Sequence, residues 1–242
     1  AVGDGETDDT ESIQNALDYI GSVGGGTVLI PTGTYMIDGT GTGEFWKGKG
    51  LVIPSNTSVL MDKGTVLKTI PNDKSNTKII NINNVENVSI KGGTIQGDRV
   101  EHLVTSGEWG FNVSIDGSKN VKIEDMVLKD AWGYGRSIGK TDELNHSKNI
   151  TLKNVLSENN RRQGMSVISV DGLYVYDSEF NDTNGTDPQA GIDFEPNDTD
   201  IRMDNIYMNN LKFKNNVGDG ITFAFNNIST SKKVNIIIIK IE

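Results

Sequence analysis

A three-sided, single-stranded parallel β-helix, all-β except for one capping α-helix at its N-terminal end, is the fold this sequence predicts. The first observation is a recurring glycine-led strand. It reads Gly110-Phe-Asn-Val-Ser, Gly135-Arg-Ser-Ile-Gly, Gly164-Met-Ser-Val-Ile, Gly191-Ile-Asp-Phe-Glu and Gly220-Ile-Thr-Phe-Ala, at steps of 25, 29, 27 and 29 residues. A nearly constant period of this size marks a solenoid. The second is another phrase at a similar interval: Asn87-Val-Ser-Ile, Asn120-Val-Lys-Ile, Asn149-Ile-Thr-Leu, Gly172-Leu-Tyr-Val and Asn205-Ile-Tyr-Met, each followed by a further short strand. Three strands per coil let each pair with its counterpart one coil away, with inward side chains stacking as apolar ladders. The third is composition. Only 35% of residues are hydrophobic and 28 are glycine, which suits short strands and turns rather than a helical bundle.

The elements follow in order. Asp8-x-x-Glu11 is an N-capping pattern in which the Asp8 side chain accepts from first-turn N–H groups. Ile13, Ala16, Leu17 and Ile20 recur at helical spacing and Gly24-Gly-Gly26 ends the run, so a helix is expected over roughly 9–22. It is the expected cover for the exposed strand edges at that end. Thr27–Pro31 and Gly33–Ile37 read as strands, the stretch 39–50 with Phe45 and Trp46 as a Gly-rich loop, and Lys63-Gly64 as a turn between strands. The coil pattern stops near Asn227, so 1–227 reads as the β-helix domain. The stretch 228–242, with Ile236-Ile-Ile-Ile239, reads as an atypical tail or a truncated last coil. The first residues read as the middle of a motif, which predicts an upstream segment.

Several function classes are disfavoured. A net charge of −10 repels nucleic-acid phosphates. No apolar run is long enough to insert in a membrane, no signal peptide is visible, and no cysteine is present for thiol chemistry or thiolate metal sites. His102 and His146 are too few and too separated for zinc. No metal site is assigned and no cofactor is required. The Asp/Asn clusters at 181–187 and 197–200 offer oxygen ligands for calcium, although turn chemistry explains them more cheaply.

Gly3-Asp-Gly-Glu-Thr-Asp-Asp-Thr10, Ile13-Gln14, Ala16, Gly24-Gly-Gly-Thr-Val28 and Pro31-x-Gly33-x-Tyr35 resemble the N-terminal signature of the pectate-lyase-like superfamily. That group includes phage tailspike and pre-neck appendage depolymerases and mannuronan epimerases. The signature covers about the first 37 residues, and the repeats carry the resemblance to about 227. It implies a right-handed β-helix that acts on a polysaccharide, in a secreted, extracellular or virion-associated protein, and a homotrimer if the protein is tailspike-like. It does not choose among hydrolase, lyase, epimerase and non-catalytic binder. The Gly-His-Gly and Arg-Ile-Lys phrases of polygalacturonases are missing. Tyr134-Gly135 matches only the start of the epimerase phrase Tyr-Gly-Phe-Asp-Pro-His, with Arg136-Ser137-Ile138 in place of the rest.

The outward rungs of the glycine-led strand are read as Asn112, Ser137, Ser166, Asp193 and Thr222, then Ser114, Gly139, Ile168, Glu195 and Ala224. In this alignment Asp193 and Glu195 are the only carboxylates. They share a face about 7 Å apart, can divide acid and base labour on a glycosidic bond, and their separation would indicate retention or inversion. Repulsion would raise one pKa. Inward positions are Val113, Ile138, Val167, Phe194 and Phe223, with Phe111, Met165, Ile192 and Ile221. Arg136 breaks that second ladder. Arg161 and Arg162 are candidates for binding an anionic sugar, and in a lyase an arginine would be the base. Gln163 and Gln189 lie in the same turns, and Trp109, Trp132 and Tyr134 are candidate sugar platforms. An exposed acidic pair or a calcium site, an arginine that only pairs with Asp193 or Glu195 across the ladder, and ordinary aromatic packing are the alternatives. The leading expectation is cleavage of a bacterial-surface or anionic glycan at Asp193 and Glu195. An Arg-based polysaccharide lyase and a glycan-binding or structural β-helix compete with it.

Overall fold

The computed structural model describes residues 1–40, 50–229 and 233–242. Phe45 and Trp46 lie outside the described residues. Among the described residues the chain is an all-β parallel solenoid of about 7 turns, with one α-helix, Thr10–Ser22. No helix in it is long and apolar enough to cross a membrane.

One sheet is built from the glycine-led strands. It runs through Leu51–Val52, Asn76–Asn83, Trp109–Asp116, Tyr134–Gly139, Gln163–Val167, Ala190–Phe194 and Ile221–Phe223. A second sheet holds the remaining strands, and here the expected pairs of short strands are fused. Lys119–Lys129, Ser147–Glu158, Val170–Asn181 and Met203–Lys214 are each continuous. The first half of Lys119–Lys129 pairs with Glu86–Lys91 and its second half with Thr94–Gln96. Between the halves of the four long strands stand Asp125, Asn154, Asp177 and Asn210, with φ of 55°, 52°, 50° and 59°. Asn and Asp enter the left-handed region at low cost because their short polar side chains bond locally. The chain bends there without ending its ladder. Val234–Ile238 adds a parallel partner to Met203–Lys214.

The asparagines of the second phrase have the same explanation. Asn56, Asn87, Asn120 and Asn149 all have φ between 55° and 60° and form a side-chain ladder. Asn87 Nδ2 donates to Asn56 Oδ1 at 2.9 Å, Asn120 to Asn87 at 3.0 Å and Asn149 to Asn120 at 3.1 Å. Gly172 takes the next rung at φ 89°, a conformation open to glycine without a side-chain clash. Asn120→Ala loses two ladder bonds and forces a β-carbon into the left-handed region, so it should cost about 1–3 kcal/mol in urea denaturation. Asn120→Gly keeps the backbone and should cost less. Equal losses would show that the ladder bonds, not the backbone, set the cost.

The helix begins at Thr10 after Asp9, and the expected cap is only partly realised. Asp8 Oδ1 accepts from Thr10 N at 3.0 Å, but the cap residue Asp9 makes no side-chain capping bond. Buried Asp9 instead accepts from Val2 N and Gly3 N and so ties the first residues to the fold. Ile13 and Leu17 pack into the core, and Gln14 exchanges hydrogen bonds with the Val52 backbone at 2.8 and 3.1 Å.

Candidate active-site cleft

The register of the glycine-led sheet corrects the expected rungs. Ser114 pairs with Ser137, Ser137 with Ser166, Ser166 with Asp193 and Asp193 with Thr222. Ile115, not Val113, is level with Ile138, and Val113 is level with Arg136. The strand Trp109–Asp116 is therefore displaced by two residues from its expected alignment. Three expectations change with it. Asn112 is not an outward rung; its buried amide donates to Lys129 O at 2.9 Å and Ile95 O at 3.3 Å. Phe111 is not an inward residue but lines the cleft, stacked on Tyr134 with centroids 4.7 Å apart. And Asp116, level with Gly139, belongs to the Glu195 rung, so Asp193 and Glu195 are not the only carboxylates on that face.

Ser114, Ser137 and Ser166, with Asp116, Gly139, Ile168 and Glu195 of the adjacent rung, line a cleft of about 720 Å³, and Asp193 lies buried beside it. Its lining comes from five consecutive coils, a length of roughly 19 Å at the spacing of paired strands. Trp109, Phe111 and Tyr134 supply aromatic surface, and Ser114, Ser137 and Ser166 supply hydroxyls. At one end Ser166 Oγ donates to Glu195 Oε1 at 2.7 Å. Gln163, fully buried, donates to Asp193 Oδ2 at 2.6 Å. Asp193 is only 3% exposed and its Oδ1 has no hydrogen-bond partner. Burial, then the neighbouring Glu195 charge and proton sharing with it, push the Asp193 carboxyl up to about 7, against the opposing pull of Arg162 and Gln163.

Arg162 is the arginine that reaches the cleft. Its Nε lies 3.3 Å from Glu108 Oε2, its Nη1 lies 3.8 Å from Glu195 Oε1, and it donates to the Tyr134 hydroxyl. Burial raises the Tyr134 pKa. Glu108, which sequence reasoning missed, thus faces Glu195 across a guanidinium. A second missed cluster lies at the far end of the cleft, where buried Lys78 lies 3.2 Å from Asp116 Oδ2 and Ser114 Oγ donates to the same oxygen at 2.6 Å. Lys78 is level with Phe111, one coil before the first rung aligned from the sequence, and the two-residue displacement hid Asp116.

Arg161, Trp132 and Gln189 are not brought into this cleft. The Arg161 guanidinium lies 4.0 Å above the Trp132 ring and donates to Gly107 O at 2.6 Å. Trp132 stacks on His102 at 3.9 Å, and His102 Nδ1 is 2.7 Å from Asp98. This stack pins the segment after Gln96 against the solenoid. Gln189 closes its own turn through Gly185 N and Asp187. Among the described residues no group of three or more His, Asp or Glu is arranged to hold a metal ion.

No family model matches the chain. The uncharacterized protein YclG of Bacillus subtilis is 32% identical over 240 residues, covering 90% of this chain and 41% of that protein. Alginate lyase 7 of Azotobacter vinelandii is 31% identical over 174 residues, covering 68% of this chain and 19% of that one. The chain thus spans less than half the length of either relative. Bacteriophage phi29 gene product 12 superposes with a TM-score of 0.71 at 20% identity, over 99% of this chain and 32% of that one. Tailspike protein gp49 of Acinetobacter baumannii bacteriophage Fri1, a capsular polysaccharide depolymerase, superposes with a TM-score of 0.61 at 17% identity, over 95% and 39%. The parallel solenoid and these neighbours give the chain a parallel β-helix fold shared with polysaccharide-active proteins.

Proposed function

We propose that the chain cleaves glycosidic bonds of a polysaccharide in this cleft, with Asp193 as the proton donor. The observation that carries the reading is a buried carboxyl held near pKa 7 next to Glu195, which itself lines a cleft with aromatic and hydroxyl walls. An acid of that pKa is matched to proton transfer near neutral pH. Asp193 protonates the leaving oxygen as the bond breaks. Glu195, beside it, keeps the proton on Asp193 by its charge. Glu108, across Arg162, is the carboxylate placed to take a proton from the attacking water. Relatives and neighbours that act on polysaccharides support the substrate class. The same reading takes the cross-section as three-sided, the helix as the cover of the N-terminal coil, and the site of action as extracellular or virion-associated.

An Arg-based elimination has less support, because Arg162 is committed to Glu108, Glu195 and Tyr134. The test is an assay for new reducing ends on a panel of bacterial surface glycans. Glu108→Gln should lower cleavage roughly 10²–10⁴-fold, the usual contribution of a general base. Products carrying the ultraviolet absorbance of an unsaturated sugar would replace hydrolysis by elimination. Binding without any new reducing ends would leave a glycan-binding solenoid.

A further inference from the structure

We infer that this cleft takes an uncharged stretch of glycan, and that a polyuronate or sulfated chain is excluded from it. The inference rests on the reading of the cleft as a glycan site, and it sets aside the expectation that arginines would bind an anionic sugar. The described lining carries three cations, Lys78, Lys140 and Arg162. Each already has a carboxylate. Lys78 lies 3.2 Å from Asp116, Lys140 lies 2.7 Å from Asp198, and Arg162 lies between Glu108 and Glu195.

The same lining carries five carboxylates, Glu108, Asp116, Asp142, Glu143 and Glu195. A sugar acid entering here must therefore break an internal ion pair and also approach unneutralised Asp142 and Glu143. Like charges brought together across this face repel, and that repulsion disfavours an anionic sugar against a neutral one. The whole chain adds to this, since a net charge of −10 lowers the local concentration of polyanions and slows their encounter.

What remains suits a neutral sugar. Trp109, Phe111 and Tyr134 give flat apolar surface for pyranose faces, and Ser114, Ser137 and Ser166 lie along the floor one coil apart. The Lys78–Asp116 pair is itself a neutral unit with both donor and acceptor character. It lies about three coils, or roughly 14 Å, from Glu195. In this arrangement it reads the hydroxyls of a distal sugar as an ion pair and does not act as a free cation.

The test is affinity electrophoresis of the whole chain in gels containing neutral glucans, galactans or mannans, or alternatively polyuronates or sulfated galactans. At least one neutral polymer should retard the protein, and polyanions should bind at least about tenfold more weakly. The Asp142→Asn/Glu143→Gln variant should gain retardation by polyanions, and added salt should reduce that gain. Stronger retardation of the native protein by a polyanion overturns the inference, as does retardation by no neutral polymer. Neutral-glycan binding without cleavage leaves the inference standing and removes the hydrolase reading. Cleavage of a polyanion does the reverse.

Discussion

Asp193→Asn should lower glycan cleavage roughly 10²–10⁴-fold while making the protein more stable at neutral pH. Both effects follow from one environment. Burial and the adjacent Glu195 hold the Asp193 carboxyl near pKa 7, against 3.8 for the free group. The native carboxyl is a proton donor below about pH 7, so activity should decline along an alkaline limb centred there. The sign of a neighbour's effect is fixed by its charge. Glu195→Gln removes a negative charge, lowers the Asp193 pKa and should move that limb to lower pH.

The stability effect runs through the same proton. Between about pH 4 and 7 the folded chain keeps a proton on Asp193 that the unfolded chain has released. Stability therefore falls as pH rises through that window, and the full penalty applies above about 7. It is on the order of 2–4 kcal/mol for a shift of this size. Asparagine carries no charge to desolvate, so the urea midpoint of Asp193→Asn should exceed the native one at pH 8 and match it at pH 4. A variant that is no more stable at pH 8 would mean that Asp193 is ordinary and solvated, and the proposed acid would lose its basis. A site group that destabilises its own fold is the expected signature of selection for activity over stability.

The solenoid itself was legible because its signals are repeated. Asn87, Asn120 and Asn149 announce a corner each time the chain passes it, and the structure shows why: each sits left-handed and donates to the asparagine below. The cleft was only half legible, and the reason lies in one glycine. Gly135, Gly164 and Gly191 recur because a β-carbon there would come within 2.4–2.6 Å of atoms of neighbouring strands of the solenoid. Gly110 was aligned with them, but it is glycine for a different reason. A β-carbon there would strike Trp132 at 2.7 Å, and the position level with Gly135 is Asn112. The two-residue displacement moved Phe111 from the core to the cleft and concealed Asp116. Glu108 was missed on other grounds. Its role depends on Arg162, 54 positions later, and no periodicity reports such a contact.

Arg136→Met should stabilise the protein, although it removes a charged side chain from the strand that carries Tyr134 and Ser137. Arg136 was the residue that broke the expected ladder, and the register keeps it there. It is level with Val113 and Met165, fully buried, with no hydrogen-bond partner for any of its three guanidinium nitrogens. Among the described residues the compensating contact is the Phe180 ring, 5.0 Å from the guanidinium carbon, worth about 2 kcal/mol when desolvated. Burial alone drives its pKa from 12.5 down to about 9. Below that value both folded and unfolded chains are charged, and only the folded chain has lost the water around the charge. As pH rises from about 9 toward 12.5 the unfolded chain holds the extra proton, so native stability should increase over that range. Methionine matches its neighbour Met165 and needs no donor satisfied. Replacing a buried charge by an apolar side chain of similar length gains about 1–4 kcal/mol, readable as a higher urea midpoint at pH 7. A loss of stability on that substitution would instead show that the guanidinium is compensated in solution and that its burial carries no net penalty.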